Sequence, residues 1–218
     1  MSLPAFDNPR LGFRLGTMDD CEAIAEIGAR SYQEYEYFTI FFADPERRYR
    51  FGVELQRTGY KVAMKRDRVL IGEEGGQIVA AAELMAPGDR PQTNWDFVKA
   101  GLFKMLKAGG VKDTLDWLSM QEQMSKVCHR LTEPHWYINS LAVREESKGQ
   151  NYGSEMLQRC IIPYVAEHGG GLLTLITNNE PNRFFYLKNG FEEFSSDQYT
   201  FRGQRMGNYG FWMRVKGV

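Results

Sequence analysis

The chain has 218 residues, of which 43% are hydrophobic and 25% charged, with a formal net charge of -1. That length suits one compact domain with a sizeable core, and the composition excludes both a largely disordered chain and a membrane-spanning one. The near-neutral balance argues against nucleic acid as a partner, because a broad cationic face would be needed to hold phosphates. The opening residues MSLPAFDNPR contain no charged segment leading into an apolar run, so neither export nor membrane anchoring is expected. Gly12–Leu15 reads as a short strand, and Thr17-Met18-Asp19-Asp20 has the form of a capping box closed by an acid. A helix follows, with Cys21, Ile24, Ile27, Gly28 and Ser31 on its packing face.

Pro45 starts a second helix through Phe51 and Leu55, and the locally basic run Arg47–Arg68 reads as a solvated helix face. Val69–Glu74 and Gln77–Met85, separated by Gly75-Gly76, form a hairpin, with Ile78–Ala82 apolar enough for a central strand. Pro87 through Pro91 breaks regular structure. Asn94–Leu131 then reads as two helices parted at Gly109-Gly110, whose aromatic and Met residues either build core or cover a substrate cleft for an apolar ligand.

Trp136–Val143, the helix Tyr152–His168 and Gly171–Thr177 make a strand-helix-strand unit, with Pro163 predicted to kink or end the helix early. The right-handed crossover brings the loop after Val143 to the carboxyl end of the strand, where open α/β sheets bind ligands. Phe191–Phe194, Gln198–Arg202 and Tyr209–Val215 read as antiparallel strands. Cys21, Cys128 and Cys160 are odd in number and lack a CxxC pair, which fits a reducing cytoplasm. Cys128, His129 and His135 do not have zinc-ligand spacing, so no metal is expected.

The chemistry-bearing segment is Lys148-Gly149-Gln150-Asn151-Tyr152-Gly153-Ser154, a polar turn running into a helix. Free N–H groups at a helix start hold a diphosphate with backbone alone, glycines let it approach, and Lys148 adds a charge. The spacing is neither a dinucleotide fingerprint nor a Walker loop. Leu141-Ala142-Val143 followed by Lys148-Gly149-Gln150-Asn151-Tyr152-Gly153 resembles the [RQ]xxGx[GA] pattern of the GNAT superfamily of N-acetyltransferases. Lys148 replaces Arg or Gln, and Asn151 replaces the middle glycine; Asn is the side chain most tolerant of left-handed backbone. A second block, Asn179-Glu180-Pro181-Asn182-Arg183-Phe184-Phe185-Tyr186-Leu187-Lys188-Asn189-Gly190-Phe191, is similar to NxxAxxxYxxxGF, with Asn182 in place of Ala.

The resemblance implies one α/β (α+β) domain over residues 1–218, a mixed central sheet flanked by helices, with a helical insertion at 87–131. It implies an acetyl group passing from acetyl-CoA to a primary amine of a small molecule or peptide by direct attack. Backbone at Leu141, Ala142 and Val143 would pair with the pantetheine arm and polarise the thioester, Asn179, Asn182 and Phe185 would complete the donor site, and Tyr186 would protonate the departing thiolate. A homodimer through a late strand follows by the same analogy. The strand positions from which relatives draw a base hold Tyr137 and Asn139, so His135 and Glu133 just upstream are the candidate bases. The alternative is a non-catalytic acyl-CoA-binding or sensing module, consistent with the lack of an evident base and with Asn151 in place of the glycine.

Overall fold

A computed structural model describes residues 10–66, 68–89 and 94–218, so Pro91 and the opening nine residues lie outside the described residues. Among the described residues, seven strands form one mixed sheet in the order β1-β2-β3-β4-β5-β7-β6. They are β1 (Gly12–Leu15), β2 (Val69–Glu74), β3 (Gln77–Met85), β4 (His135–Val143), β5 (Gly171–Thr177), β6 (Glu192–Phe201) and β7 (Gln204–Val215). β4 and β5 run parallel and every other pair is antiparallel.

Helices cover both faces. On one face lie α1 (Cys21–Tyr32), α2 (Glu36–Thr39) and α3 (Pro45–Met64), together with α4 (Asn94–Ala100), α5 (Leu102–Gly109) and α6 (Val111–His129), which connect β3 to β4. On the other lie α7 (Tyr152–Met156), α8 (Ile162–Glu167) and α9 (Glu180–Lys188). Buried Tyr152, Met156, Leu157 and Val165 pack with Ala80, Ala82 and Leu173 on the α7 side. Phe38, Phe42, Phe51, Trp117, Met120 and Met124 form an aromatic and thioether core on the opposite side. Face-by-face alternation of side chains along the strands separates these two cores.

The capping box forms as its sequence predicts, with Asp20 accepting from the Thr17 backbone at 2.8 Å ahead of α1. Several boundaries differ from expectation. α2 carries no strong local signal, and the Asn94–Leu131 segment holds three helices because Gly101, at φ +133, adds a break before α5. One long strand, β6, replaces two short ones, with a register shift between Glu193 and Ser195. Pro163 does not end its helix: a π-turn at Leu157–Ile161 lets the Ile162 N–H reach the Leu157 carbonyl, and Pro163 then stands in the first turn of α8, where no donor is needed.

The basic run is not simply a solvated face. Arg48 is buried and donates to the Phe42 carbonyl at 2.9 Å and to Glu34 at 2.9 Å. Arg57 pairs with Glu22 and Glu54, each at 2.5 Å, and Arg47 with Asp113 at 2.5 Å, tying α3 to α1 and α6.

Candidate active site

β4 and β5 are hydrogen-bonded neighbours only from His135 to Tyr137, opposite Leu172 to Thr174. Beyond those residues the two parallel strands diverge, leaving backbone groups of β4 without a strand partner on that side. The Arg144 N–H donates to Val79 on β3, and N–H direction alternates along a strand, so Val143 and Leu141 turn theirs toward the opening. At Leu141 both groups are engaged by one side chain: its N–H donates to the Tyr32 hydroxyl at 3.0 Å, and that hydroxyl donates to its carbonyl at 2.8 Å. Tyr32 thus stands where the next strand's backbone would otherwise be, and Ala142 packs into the core beneath.

Past the end of β4, Gly149 takes φ +80, with open space where a Cβ would sit, and Asn151 takes the left-handed φ 67. Both conformations suit those residue types and bring the chain round into α7. The first-turn N–H groups of α7 receive no side-chain cap. Gly153 serves packing as well as approach, since a Cβ there would meet Phe185 at 3.1 Å. The other side chains of this loop are engaged elsewhere. Tyr152 is buried and bonds Glu74 at 2.5 Å, and Ser154 Oγ accepts from Asn189 at 3.1 Å. Gln150 accepts from Arg10 at 3.1 Å, and Lys148 pairs with Glu145 at 2.6 Å in solvent. What this loop offers a ligand is therefore main chain.

Asn179 caps α9 by accepting from the Asn182 N–H at 2.9 Å, while the Asn182 amide donates to the Tyr35 hydroxyl. From that helix Tyr186 reaches a cavity of about 650 Å³ that starts in the β4–β5 opening and extends beneath α3, α4, α5 and α6. Burial holds the Tyr186 phenol well above its ordinary range, so it stays protonated near neutral pH. Met120 and Met124 of the connecting helices are core, Phe97, Leu102, Leu106, Leu115 and Leu118 line this cavity, and Trp117 belongs to both. Both readings of that segment thus apply, and they meet at Trp117.

Neither candidate base lies there. His135 starts the closed, paired end of the strands, its Nδ1 2.9 Å from the Glu133 carbonyl. Glu133 pairs in solvent with Arg214, which lowers its pKa and makes it a poorer base. Both are away from the cavity because β4 opens only after Tyr137.

A different carboxylate lies in the cavity. Glu83 opposes Ser140, and Leu84 opposes Ile138, so Asn139 is an extra residue bulged out of β4. Asn139 lines the cavity together with Glu83, and Glu83 is only 4% exposed. Gly59 of α3 leaves room for it, since a Cβ at that point would lie 3.2 Å from Glu83 Oε2. Burial pushes Glu83 up to about 7, against the lowering effect of Asn139. The sequence held one signal for it: a lone acid within the apolar run Ile78–Met85 of a strand covered on both faces.

A sequence model of the Acetyltransferase (GNAT) family matches residues 30–191, well over half of the chain. The chain belongs to the GNAT acetyltransferase family. No curated protein matches its sequence. Among solved structures it is similar to the C-terminal condensation domain of Ebony in complex with beta-alanyl-dopamine, at TM-score 0.71 and 10% identity over 95% of this chain and 100% of that one. It is also similar to a polyamine N-acetyltransferase of Drosophila melanogaster that forms N-acetylagmatine, at TM-score 0.62 and 16% identity over 94% and 100% of the two chains. An N-acetyltransferase from Staphylococcus aureus Mu50 gives TM-score 0.58 and 14% identity over 94% and 99%. At these identities the likeness shows the GNAT fold: a mixed α/β architecture with a seven-stranded sheet flanked by helices. No helix among the described residues is long and apolar enough to cross a membrane.

Proposed function

We propose that this GNAT protein transfers an acetyl group from acetyl-CoA to a primary amine by direct attack, with Glu83 as general base and Tyr186 as general acid. The observation that carries the reading is the continuity of the β4–β5 opening with a cavity that holds a buried carboxylate and a buried phenol. Acetyl-CoA supplies the acyl group as an activated thioester. Backbone N–H groups at the start of α7 suit its diphosphate, and the free strand edge at Val143 suits the amides of its pantetheine arm. Asn179, Asn182 and Phe185 form the α9 wall of this donor side.

The Tyr32 hydroxyl marks where an oxygen accepts from the Leu141 N–H, and the thioester oxygen takes that place when Tyr32 turns aside. Glu83 removes one proton from the acceptor ammonium, and the nitrogen lone pair forms the bond to the acyl carbon. The carbon–sulfur bond breaks, Tyr186 protonates the sulfur, and the remaining surplus proton of the nitrogen restores the phenol. The net proton released leaves Glu83 for solvent. The alternative of a non-catalytic binding module rests on the lack of an evident base and on Asn151 in place of glycine; Glu83 on β3 supplies a candidate base, and Asn151 takes the left-handed turn that a glycine would.

The test is an acetyl-CoA titration followed by thiol-release assays with primary amines. Saturable binding and amine-dependent release are expected. Binding with release no faster than background hydrolysis would remove the transferase reading, and failure to bind would remove the donor site itself.

A further inference from the structure

We infer that the amine acceptor carries a single positive charge on an apolar body, an arylalkylamine or alkylamine, with its ammonium at Glu83 and its body under α4 to α6; the inference rests on the transferase reading above. Among the described residues lining the cavity, Glu83 alone carries a formal charge. One buried carboxylate pairs with one ammonium. A second cation, as on a polyamine or an aminoglycoside, would be stripped of water without a partner in the chamber.

The walls fit the rest of such a molecule. Tyr35, Tyr37 and Tyr137 present aromatic surface, and burial raises the pKa of all three, so they stay neutral. Phe97, Leu106 and Leu118 add apolar surface from the helices. Aromatic rings lining the same chamber also favour an ammonium through their quadrupoles. A volume of about 650 Å³ holds a small amine and the acyl end of the donor. Wall residues from α1, α3, α4, α5 and α6 face the sheet across it, which makes a chamber rather than the open groove an extended peptide needs.

The test is equilibrium binding to the full chain saturated with CoA, comparing phenethylamine with phenethyl alcohol, spermidine, an aminoglycoside and a short peptide with a free N-terminus. Phenethylamine is expected to bind at least about tenfold more tightly than any of the others. Equal or tighter binding of spermidine, the aminoglycoside or the peptide would overturn the acceptor class, and equal binding of the alcohol would overturn the role given to the carboxylate. Thiol release from acetyl-CoA, run on the same panel, separates this inference from the one beneath it. Release by spermidine with phenethylamine inert overturns the acceptor class and keeps the transferase. Preferential phenethylamine binding without release by any amine upholds the chamber and sinks the transferase.

Discussion

The two halves of the site are built from different materials. The proposed donor half, from Leu141 to Ser154, presents main chain: a strand edge, a left-handed turn at Asn151 and an uncapped helix start. The proposed acceptor half, beneath α4 to α6, presents side chains from six elements or more, gathered around one buried acid. Backbone sites impose a local pattern of glycines and turn residues that can be read along the chain. A side-chain chamber imposes only that its walls be apolar, a condition many sequences meet.

That contrast predicts where substitutions act. The largest effect belongs to the acceptor half: Glu83→Gln should lower kcat/KM for the amine by about a thousandfold while the acetyl-CoA Kd stays within about twofold, as steady-state kinetics and calorimetry would show. A matching loss of acetyl-CoA binding would mean that the two halves are not separable.

The same substitution should stabilise the fold. Burial raises the Glu83 pKa from 4.5 to about 7, so the folded state holds this proton more tightly than the unfolded chain does. Parent stability is therefore lost as pH rises between those two values, and the neutral variant escapes that loss. Denaturant unfolding should show Glu83→Gln gaining up to about 3 kcal/mol on the parent above neutral pH, and little at about pH 5. An unchanged difference across pH would show that Glu83 is not desolvated.

Tyr186→Phe, at the junction of the halves, should lower kcat by at least about tenfold with acetyl-CoA affinity intact. Single-turnover kinetics would check it, and unchanged chemistry would leave the tyrosine a packing residue. Tyr32→Phe should act on the donor half in the opposite sense. It frees the Leu141 N–H from the hydroxyl at 3.0 Å, so acetyl-CoA should bind about fivefold more tightly by titration. Weaker binding would mean that the hydroxyl serves the donor directly.

Legibility in the sequence follows the same division. The hairpin Val69–Glu74 and Gln77–Met85 coincides with β2 and β3, because Gly75-Gly76 and the flanking apolar runs specify it locally. Asn151 in the left-handed region was likewise readable from its residue type. The bulge at Asn139 was not, because it exists only in the register between β3 and β4. Nor was the π-turn that admits Pro163, which depends on how the helix is seated against the sheet. Glu83 is legible as a charge in an apolar strand, but the family resemblance directs the choice of base to β4, which puts it on His135 and Glu133 at the closed end.

The most direct measurement is kcat/KM for the amine as a function of pH, in the parent and in Glu83→Gln. With Glu83 as the base, parent activity rises through an apparent pKa of about 7 and that limb disappears in the variant. The same limb, unmoved, in Glu83→Gln would show that another group takes the proton.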